Sequence, residues 1–234
     1  MAELVVALDY PDARSAQDMA EKLSGSVPWV KVGLELFVAE GPELVRTLKG
    51  MGFKVFVDLK FMDIPNTVRG AVRSAVYSGA DMVNIHMLGG RRMAEAALAG
   101  RDEATDSEAC KPLLLGVTVL TSMESDDLPF DFHGDIGELV LDLASKGKQY
   151  GLDGVVCSAM EAEAIKSACG QEFQCLTPGI RPVGSEVGDQ RRVMTPARAV
   201  AAGSDFLVVG RPVTGSADPR ATADAIVREI RDSL

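Results

Sequence analysis

The 234 residues contain only two histidines, His86 and His133, so a histidine-built metal site has little to draw on. The four cysteines, Cys110, Cys157, Cys169 and Cys175, show no CxxC or finger-like spacing, and they read as buried or half-buried thiols of a reducing compartment. Positive charge is short as well: 24 Lys and Arg against 34 Asp and Glu give a formal net charge of -10. Such a surface repels nucleic acid and anionic membranes, and an anionic ligand then needs a locally basic pocket. No apolar run approaches the length of a membrane span. The opening MAELVVALDY enters a strand pattern and lacks a basic segment followed by a cleavable apolar one, so a cytoplasmic protein is expected. GxGxxG, GxxxxGK[ST] and GxSxG are all missing, which removes the dinucleotide fingerprint, the P-loop and the serine nucleophile elbow.

What is present is ordinary globular material, 47% hydrophobic and 25% charged, with enough of it for one sizeable core. Eight short aliphatic or β-branched runs stand out, at residues 4–8, 29–32, 55–59, 82–85, 113–117, 154–157, 175–177 and 206–209. Each is too short for a helix, apolar nearly throughout and followed by turn residues, as strands buried on both faces of a parallel sheet are. Amphipathic stretches with helical spacing lie between them. Residues 13–23 carry Ala13, Ala16, Ala20 and Leu23 on one face, and further helices are predicted at 42–51, 67–78 and 195–202. Gly52, Gly79, Gly151 and Gly203 each stand where a helix ends and a strand follows. Strict alternation of this kind means parallel strands with right-handed crossovers, and eight units close into a barrel. With no linker, low-complexity tract or charge block, residues 1–234 are expected to form a single-domain α/β protein, a (β/α)8 TIM barrel.

Barrel enzymes carry their chemistry at the carboxyl ends of the strands. Read in order, those positions hold Asp9, Lys31, Asp58 with Lys60, and His86, with Thr121 and Ser122 just beyond the fifth strand. Asp58 and Lys60 are two residues apart on one strand and so point to one side, while Asp63 follows in a short loop that can return toward Lys60. One such ion pair is as easily structural as functional. Five charges, Asp9, Lys31, Asp58, Lys60 and Asp63, are expensive to desolvate together unless chemistry occurs there. A lysine flanked by carboxylates is held as a cation, a proton donor rather than the free amine that Schiff-base chemistry needs. Such a site suits a reaction that builds negative charge on carbon and then protonates it, either a decarboxylation or an isomerisation through an enediolate.

Phosphate sites of these barrels are often made by the loops after strands seven and eight. Here the seventh loop is Gly-rich and carries Arg181 and Gln190, and the eighth strand runs directly into Gly210 and Arg211. Open glycine amides and forked guanidinium groups suit an oxyanion, so a phosphorylated substrate is expected. The longest irregular stretches, 121–134 and 179–193, follow strands and so read as binding loops or lids.

The run Asp58-Leu-Lys-Phe-Met-Asp-Ile-Pro-Asn-Thr67 resembles the signature of the orotidine 5'-phosphate decarboxylase family, the bacterial branch most of all. The likeness extends, in family order, through Ala7-Leu-Asp9, Lys31-Val-Gly33, Val83-Asn-Ile-His86 and Leu120-Thr-Ser122. It continues through Thr177-Pro-Gly-Ile-Arg181, the run from Gly188 to Pro196, and Val209-Gly-Arg-Pro-Val213. The resemblance implies conversion of orotidine 5'-monophosphate to UMP, the last step of de novo pyrimidine synthesis, with neither metal nor cofactor. It implies that Lys60 protonates C6, that Asp58 faces the departing carboxylate, and that Lys31 and Asp9 hold the ribose hydroxyls. Asp63 and Thr67 would reach into the site of a neighbouring subunit, making a homodimer with shared sites. Thr121 and Ser122 would contact the pyrimidine, and Arg181, Gln190, Gly210 and Arg211 would hold the phosphate or close over it.

Two rivals remain. Metal-dependent sugar-phosphate lyases of the same superfamily share an Asp-x-Lys-x-x-Asp element, but they place an acidic metal ligand where Lys31 stands and lack the Ile-Pro-Asn-Thr continuation. A cation at that position opposes Mg2+. A non-catalytic nucleotide-binding protein is the other, although the proton donor and its carboxylates are all retained here.

Overall fold

Short runs that are apolar on both faces have to be covered on both, and a barrel wrapped in helices does this for every strand at once. The computed structural model, which describes residues 2–107, 111–128, 130–132, 134–182 and 193–233, is a closed barrel of eight parallel strands in sequence order. They are β1 (Glu3–Ala7), β2 (Trp29–Gly33), β3 (Lys54–Phe61), β4 (Met82–His86), β5 (Leu113–Val117), β6 (Gly154–Val156), β7 (Gln174–Thr177) and β8 (Phe206–Val209), with β8 closing on β1. Around them lie α1 (Ala13–Leu23), α2 (Leu34–Glu40), α3 (Pro42–Gly50), α4 (Pro65–Tyr77), α5 (Gly90–Glu103), α6 (Ile136–Tyr150), α7 (Ala162–Cys169) and α8 (Pro196–Ala201). The short α9 (Arg211–Thr214) and then α10 (Pro219–Asp232) follow the last strand. Among the described residues no helix is long and apolar enough to cross a membrane.

Local sequence accounts for most of these boundaries. Helix α1 starts where the Asp12 side chain accepts the Ser15 amide at 2.9 Å, and it buries Ala16, Met19, Ala20 and Leu23. Helix α4 begins two residues before the predicted start, because Pro65 fits the first helical position, where no amide proton is needed. Gly52, Gly79, Gly151 and Gly203 take φ of 93°, 100°, 92° and 96°, the left-handed values that let a chain leave a helix and enter a strand.

Alternation along each strand sends one residue set outward to the helices and the other into the barrel. Leu4, Val6 and Leu8 belong to the outer layer, whereas Val5 and Ala7 pack inside with Trp29, Phe56, Met82, Leu115, Val117, Val156, Leu176, Phe206 and Val208. At the amino-terminal end Trp29 plugs the barrel. Its ring meets Phe206 edge-on at 5.5 Å, and its indole N–H donates to Glu3 at 2.9 Å.

The same end carries a device used three times. Asp81, Asp153 and Asp205 stand immediately before β4, β6 and β8, each two residues after one of the helix-ending glycines. Each carboxylate accepts a backbone amide of the preceding strand at 2.7 Å, from Val55, Leu114 and Cys175 respectively. Each also pairs at 2.7 Å with a cation of the helix before that strand: Lys49, Arg101 and Lys166. Each carboxylate therefore ties an odd strand, the helix before it and the next even strand together, away from the opposite end where the chemistry-bearing residues gather.

Candidate active site

The inward positions nearest the carboxyl ends divide by strand. On β5 to β8 they are Val117, Val156, Leu176 and Val208; β1 ends on Ala7 with Asp9 just beyond it, and β2 and β3 supply Lys31, Asp58 and Lys60. These two walls enclose a cavity of about 410 Å³ that is lined on its polar side by Asp9, Lys31, Asp58 and Lys60.

The four groups form a chain of alternating charge. Lys31 Nζ lies 3.0 Å from Asp9 Oδ1 and 3.4 Å from Asp58 Oδ2, and Asp58 Oδ1 accepts from Lys60 Nζ at 2.7 Å. Burial is graded along it: the side chains of Lys31 and Asp58 are 10% and 13% exposed, Lys60 27%, and Asp9 62%. Burial would push the Asp58 carboxyl up, but the charges of Lys31 and Lys60 and the hydrogen bonds from Lys60 and Asn84 outweigh it and hold the group below its ordinary range. Burial likewise works against the Lys31 ammonium, and Asp58 and Asp9 outweigh it, leaving the group above its ordinary value. Both therefore stay charged near neutral pH. His86, half-buried at the end of β4, is pushed down by burial and then by the Lys60 charge, with Asp58 opposing, so it stays neutral.

Lys60 reaches its position by an irregular backbone. The β3–β4 register slips between Val57 and Phe61, and Lys60 has φ of 51°, the one positive value outside glycine among the described residues. A left-handed lysine costs about 1–3 kcal/mol and persists only where its surroundings hold it. The simple alternation of a strand therefore names the right neighbours, Asp58 and Lys60, for an incomplete reason: a bulge, rather than a regular pleat, brings them together.

Across the cavity Arg181 and Arg211 stand near Gly179 and Gly210. The Arg181 guanidinium is lowered by partial burial and then by the charge of Arg211, as two cations facing one space are. Thr121, buried, and Ser122, exposed, line the rim after β5.

Of the site residues expected from sequence, Asp9, Lys31, Asp58, Lys60, Thr121, Ser122, Arg181, Gly210 and Arg211 meet at this one cavity. Asp63 and Thr67 do not. Both are exposed, neither lines the cavity, and the Asp63 carboxylate turns back to accept the Ile64 amide at 2.6 Å, so within this chain it does not return to Lys60. The expected cluster of five desolvated charges is thus two deeply buried groups, one part-buried and two exposed. Gln190 and most of the 179–193 loop lie outside the described residues, as do Cys110 and His133.

Two residues that matter to the geometry were not singled out from sequence. Asn84 is fully buried and bonded to both Asp58 and Lys60; its signal was a polar side chain in the middle of an apolar strand. Gly33 leaves the space that Lys31 fills, since a Cβ there would lie 2.9 Å from Nζ. Among the described residues, no three His, Cys, Asp or Glu side chains are grouped so that they could hold a metal ion.

Comparison with known proteins matches residues 2–226 to the Orotidine 5'-phosphate decarboxylase / HUMPS family. An orotidine 5'-phosphate decarboxylase of Nitratidesulfovibrio vulgaris (strain DP4) is 63% identical over 231 residues, 98% of each chain. One from Maridesulfovibrio salexigens is 62% identical over 230 residues, 98% of this chain and 99% of that one. Among solved structures, an orotidine 5'-phosphate decarboxylase from Lactobacillus acidophilus superposes with a TM-score of 0.88 at 36% identity, covering 98% of this chain and 99% of that one.

Proposed function

This chain belongs to the Orotidine 5'-phosphate decarboxylase / HUMPS family, and on that premise we propose that Lys60 is the acid that protonates C6 as the enzyme decarboxylates orotidine 5'-monophosphate to UMP. The conversion breaks one carbon–carbon bond, releases CO2 and completes de novo pyrimidine nucleotide synthesis. The observation that carries the Lys60 assignment is its ammonium, hydrogen-bonded to the buried Asp58 carboxylate and open to the cavity.

When the bond from C6 to its carboxylate breaks, the electron pair stays on C6. A fixed ammonium beside that carbon stabilises the growing charge and then gives it a proton, leaving a neutral amine that solvent recharges. Asp58 faces the substrate carboxylate, and their repulsion ends when neutral CO2 departs. Asp9 and Lys31 hold the ribose hydroxyls, Lys31 also completing the charged array, while Thr121 and Ser122 meet the pyrimidine. Arg181, Gly210 and Arg211, with Gln190, take the phosphate. Gripping the phosphate far from C6 provides binding energy for closing the site and excluding water. The apolar wall of Val117, Val156, Leu176 and Val208 suits the loss of a charge in the reacting group, because CO2 is far less polar than the carboxylate it comes from.

Asp63 and Thr67 act in the site of a second copy, which makes the working form a homodimer with shared sites. Support comes from the exposure of Asp63, between Met62 and Ile64, and of Thr67 in the first turn of α4; Met62 and Ile64 are 54% and 68% exposed, apolar surface that a second copy would cover. A cytoplasmic location fits a substrate and product that are both highly charged nucleotides.

The test follows loss of the orotate ultraviolet absorbance with and without a chelator, for the wild type and Lys60→Ala. Chelator-insensitive turnover that vanishes in the variant is expected. Turnover that requires metal, or that survives in Lys60→Ala, would overturn the reading, and a monomeric sedimentation mass at assay concentration would remove its shared-site part.

A further inference from the structure

Asn84 is an unusual occupant of β4. Its neighbours along the strand are Met82, Val83 and Ile85, all fully buried apolar groups, and its own side chain is buried just as completely. A buried primary amide needs partners on both of its ends. It has them: Nδ2 donates to Asp58 Oδ1 at 2.8 Å, and Oδ1 accepts the backbone amide of Lys60 at 2.7 Å. The chemistry of those partners permits only one orientation, because a flipped amide would set oxygen against carboxylate and N–H against N–H.

Both contacts fall on the irregular part of β3. Val57 pairs with Val83 and Phe61 with Ile85, so three β3 residues, Asp58, Leu59 and Lys60, stand opposite Asn84 alone. Regular ladder bonding is lost over that stretch, and the Asn84 side chain supplies a bond that the strand backbone does not. Lys60 needs such a bond, being the residue with φ of 51°. The Asp58 carboxylate is fixed by the same amide: Oδ1 receives Asn84 and Lys60, which turns Oδ2 toward Lys31.

We infer that Asn84 is the positioning residue of the decarboxylation: it holds the Lys60 backbone in its left-handed conformation and sets the rotation of the Asp58 carboxylate. Asn84 is absent from the residues lining the cavity, so it acts only through those two groups. The inference rests on Lys60 being the proton donor. A side chain present only for packing would be matched by any residue of similar size. A positioning amide has to present a donor to Asp58 and an acceptor to Lys60 at once.

That requirement separates two substitutions. Asn84→Ala removes both contacts. Asn84→Asp keeps the shape and the acceptor for Lys60, but at neutral pH it sets a second carboxylate against Asp58. Three further charged or titratable groups bear on this spot: the ammonium groups of Lys31 and Lys60, on β2 and β3, and His86, two residues along β4. Asp9, on β1, acts through Lys31. The two ammonium groups favour ionised Asp58, so a proton taken up by the new pair resides on residue 84 and recreates the donor.

The experiment measures kcat, KM and UMP affinity against pH for the wild type, Asn84→Ala, Asn84→Asp and Lys60→Ala. Misplacing a reacting group by about 1 Å costs on the order of 100-fold, so Asn84→Ala is expected to lose roughly 10- to 100-fold in kcat. KM and UMP affinity should change no more than about threefold, since the lost interaction belongs to the transition state. The ratio of Asn84→Asp to wild-type kcat should rise as pH falls from 8 to 5. Wild-type kcat in Asn84→Ala, or an Asn84→Asp ratio flat with pH, would overturn the inference. So would variants that fail to bind UMP because they do not fold, since Asn84 would then serve the fold alone. Full turnover in Lys60→Ala would instead sink the donor assignment on which the inference rests, and the two failures are therefore distinguishable.

Discussion

Replacing Asp153 tests whether the carboxylates before β4, β6 and β8 hold the barrel together. Asp153→Ala removes the 2.7 Å pair with Arg101, whose side chain is only 4% exposed, and the acceptor of the Leu114 amide. Breaking a fully buried pair by deleting one partner costs about 3–5 kcal/mol. Here the figure is smaller, about 2 kcal/mol, because Asp153 is 30% exposed and Arg101 keeps a second carboxylate, Asp102, at 2.9 Å. Orphaning the amide of the buried Leu114 adds about 1 kcal/mol, the lower end of the range, since removing the 30% exposed Asp153 side chain lets water approach it. The total is about 3 kcal/mol. In a chain of this size 1 kcal/mol shifts Tm by about 2–4 °C, so Tm should fall by about 6–12 °C. Asp153→Asn keeps an acceptor for Leu114 and should lose about two-thirds as much.

The three positions should also rank. Asp205→Ala should resemble Asp153→Ala, its partner Lys166 being 6% exposed, whereas Asp81→Ala should cost less, its partner Lys49 being 35% exposed. Scanning calorimetry at fixed protein concentration reads the Tm, and kcat per folded molecule is measured alongside. The carboxylates lie at the end of the barrel away from the cavity, so kcat should not move. A Tm within about 2 °C of wild type for Asp153→Ala would refute the reasoning, as would a fall in kcat without one in Tm.

Two further outcomes follow from the charged wall. Gly33→Ala introduces no backbone strain, φ being -90°, but its methyl would sit 2.9 Å from Lys31 Nζ and 3.4 Å from Asp9 Oδ1. The ammonium must swing aside, and kcat/KM should drop about tenfold with little change in Tm; an unchanged kcat/KM would mean that the position of Lys31 is immaterial. Asp58, held below its ordinary value in the folded chain, contributes stability that is present above the unfolded carboxyl pKa of about 3.9 and is lost as pH falls through the lower folded value. Urea unfolding should therefore show the stability gap between wild type and Asp58→Asn narrowing below about pH 4, and a gap constant down to pH 2 would count against the network.

Much of this was legible without coordinates. The fifth strand, Leu113–Val117, and the first helix, Ala13–Leu23, fall where periodicity puts them, because both are decided by which residues have to be buried within a few positions of one another. The third strand ran on to Phe61, past the predicted end, because the pattern cannot register a bulge in which Lys60 turns left-handed. Helix α2 was not anticipated: seven residues offer too few turns for helical spacing to be read.

The order of strands and helices, the charges at the strand ends and the glycine and arginine content of the last loops were determined by sequence alone, since each depends on neighbours along the chain. Which of those charges meet was decided only by the closed barrel. Register across β2, β3 and β4 brings Lys31, Asp58, Lys60 and Asn84 together from positions up to 53 residues apart (84 minus 31). Asp63, only three residues from Lys60, faces away. Distance along the chain says little about distance across a sheet, because pairing and burial are set by every strand at once.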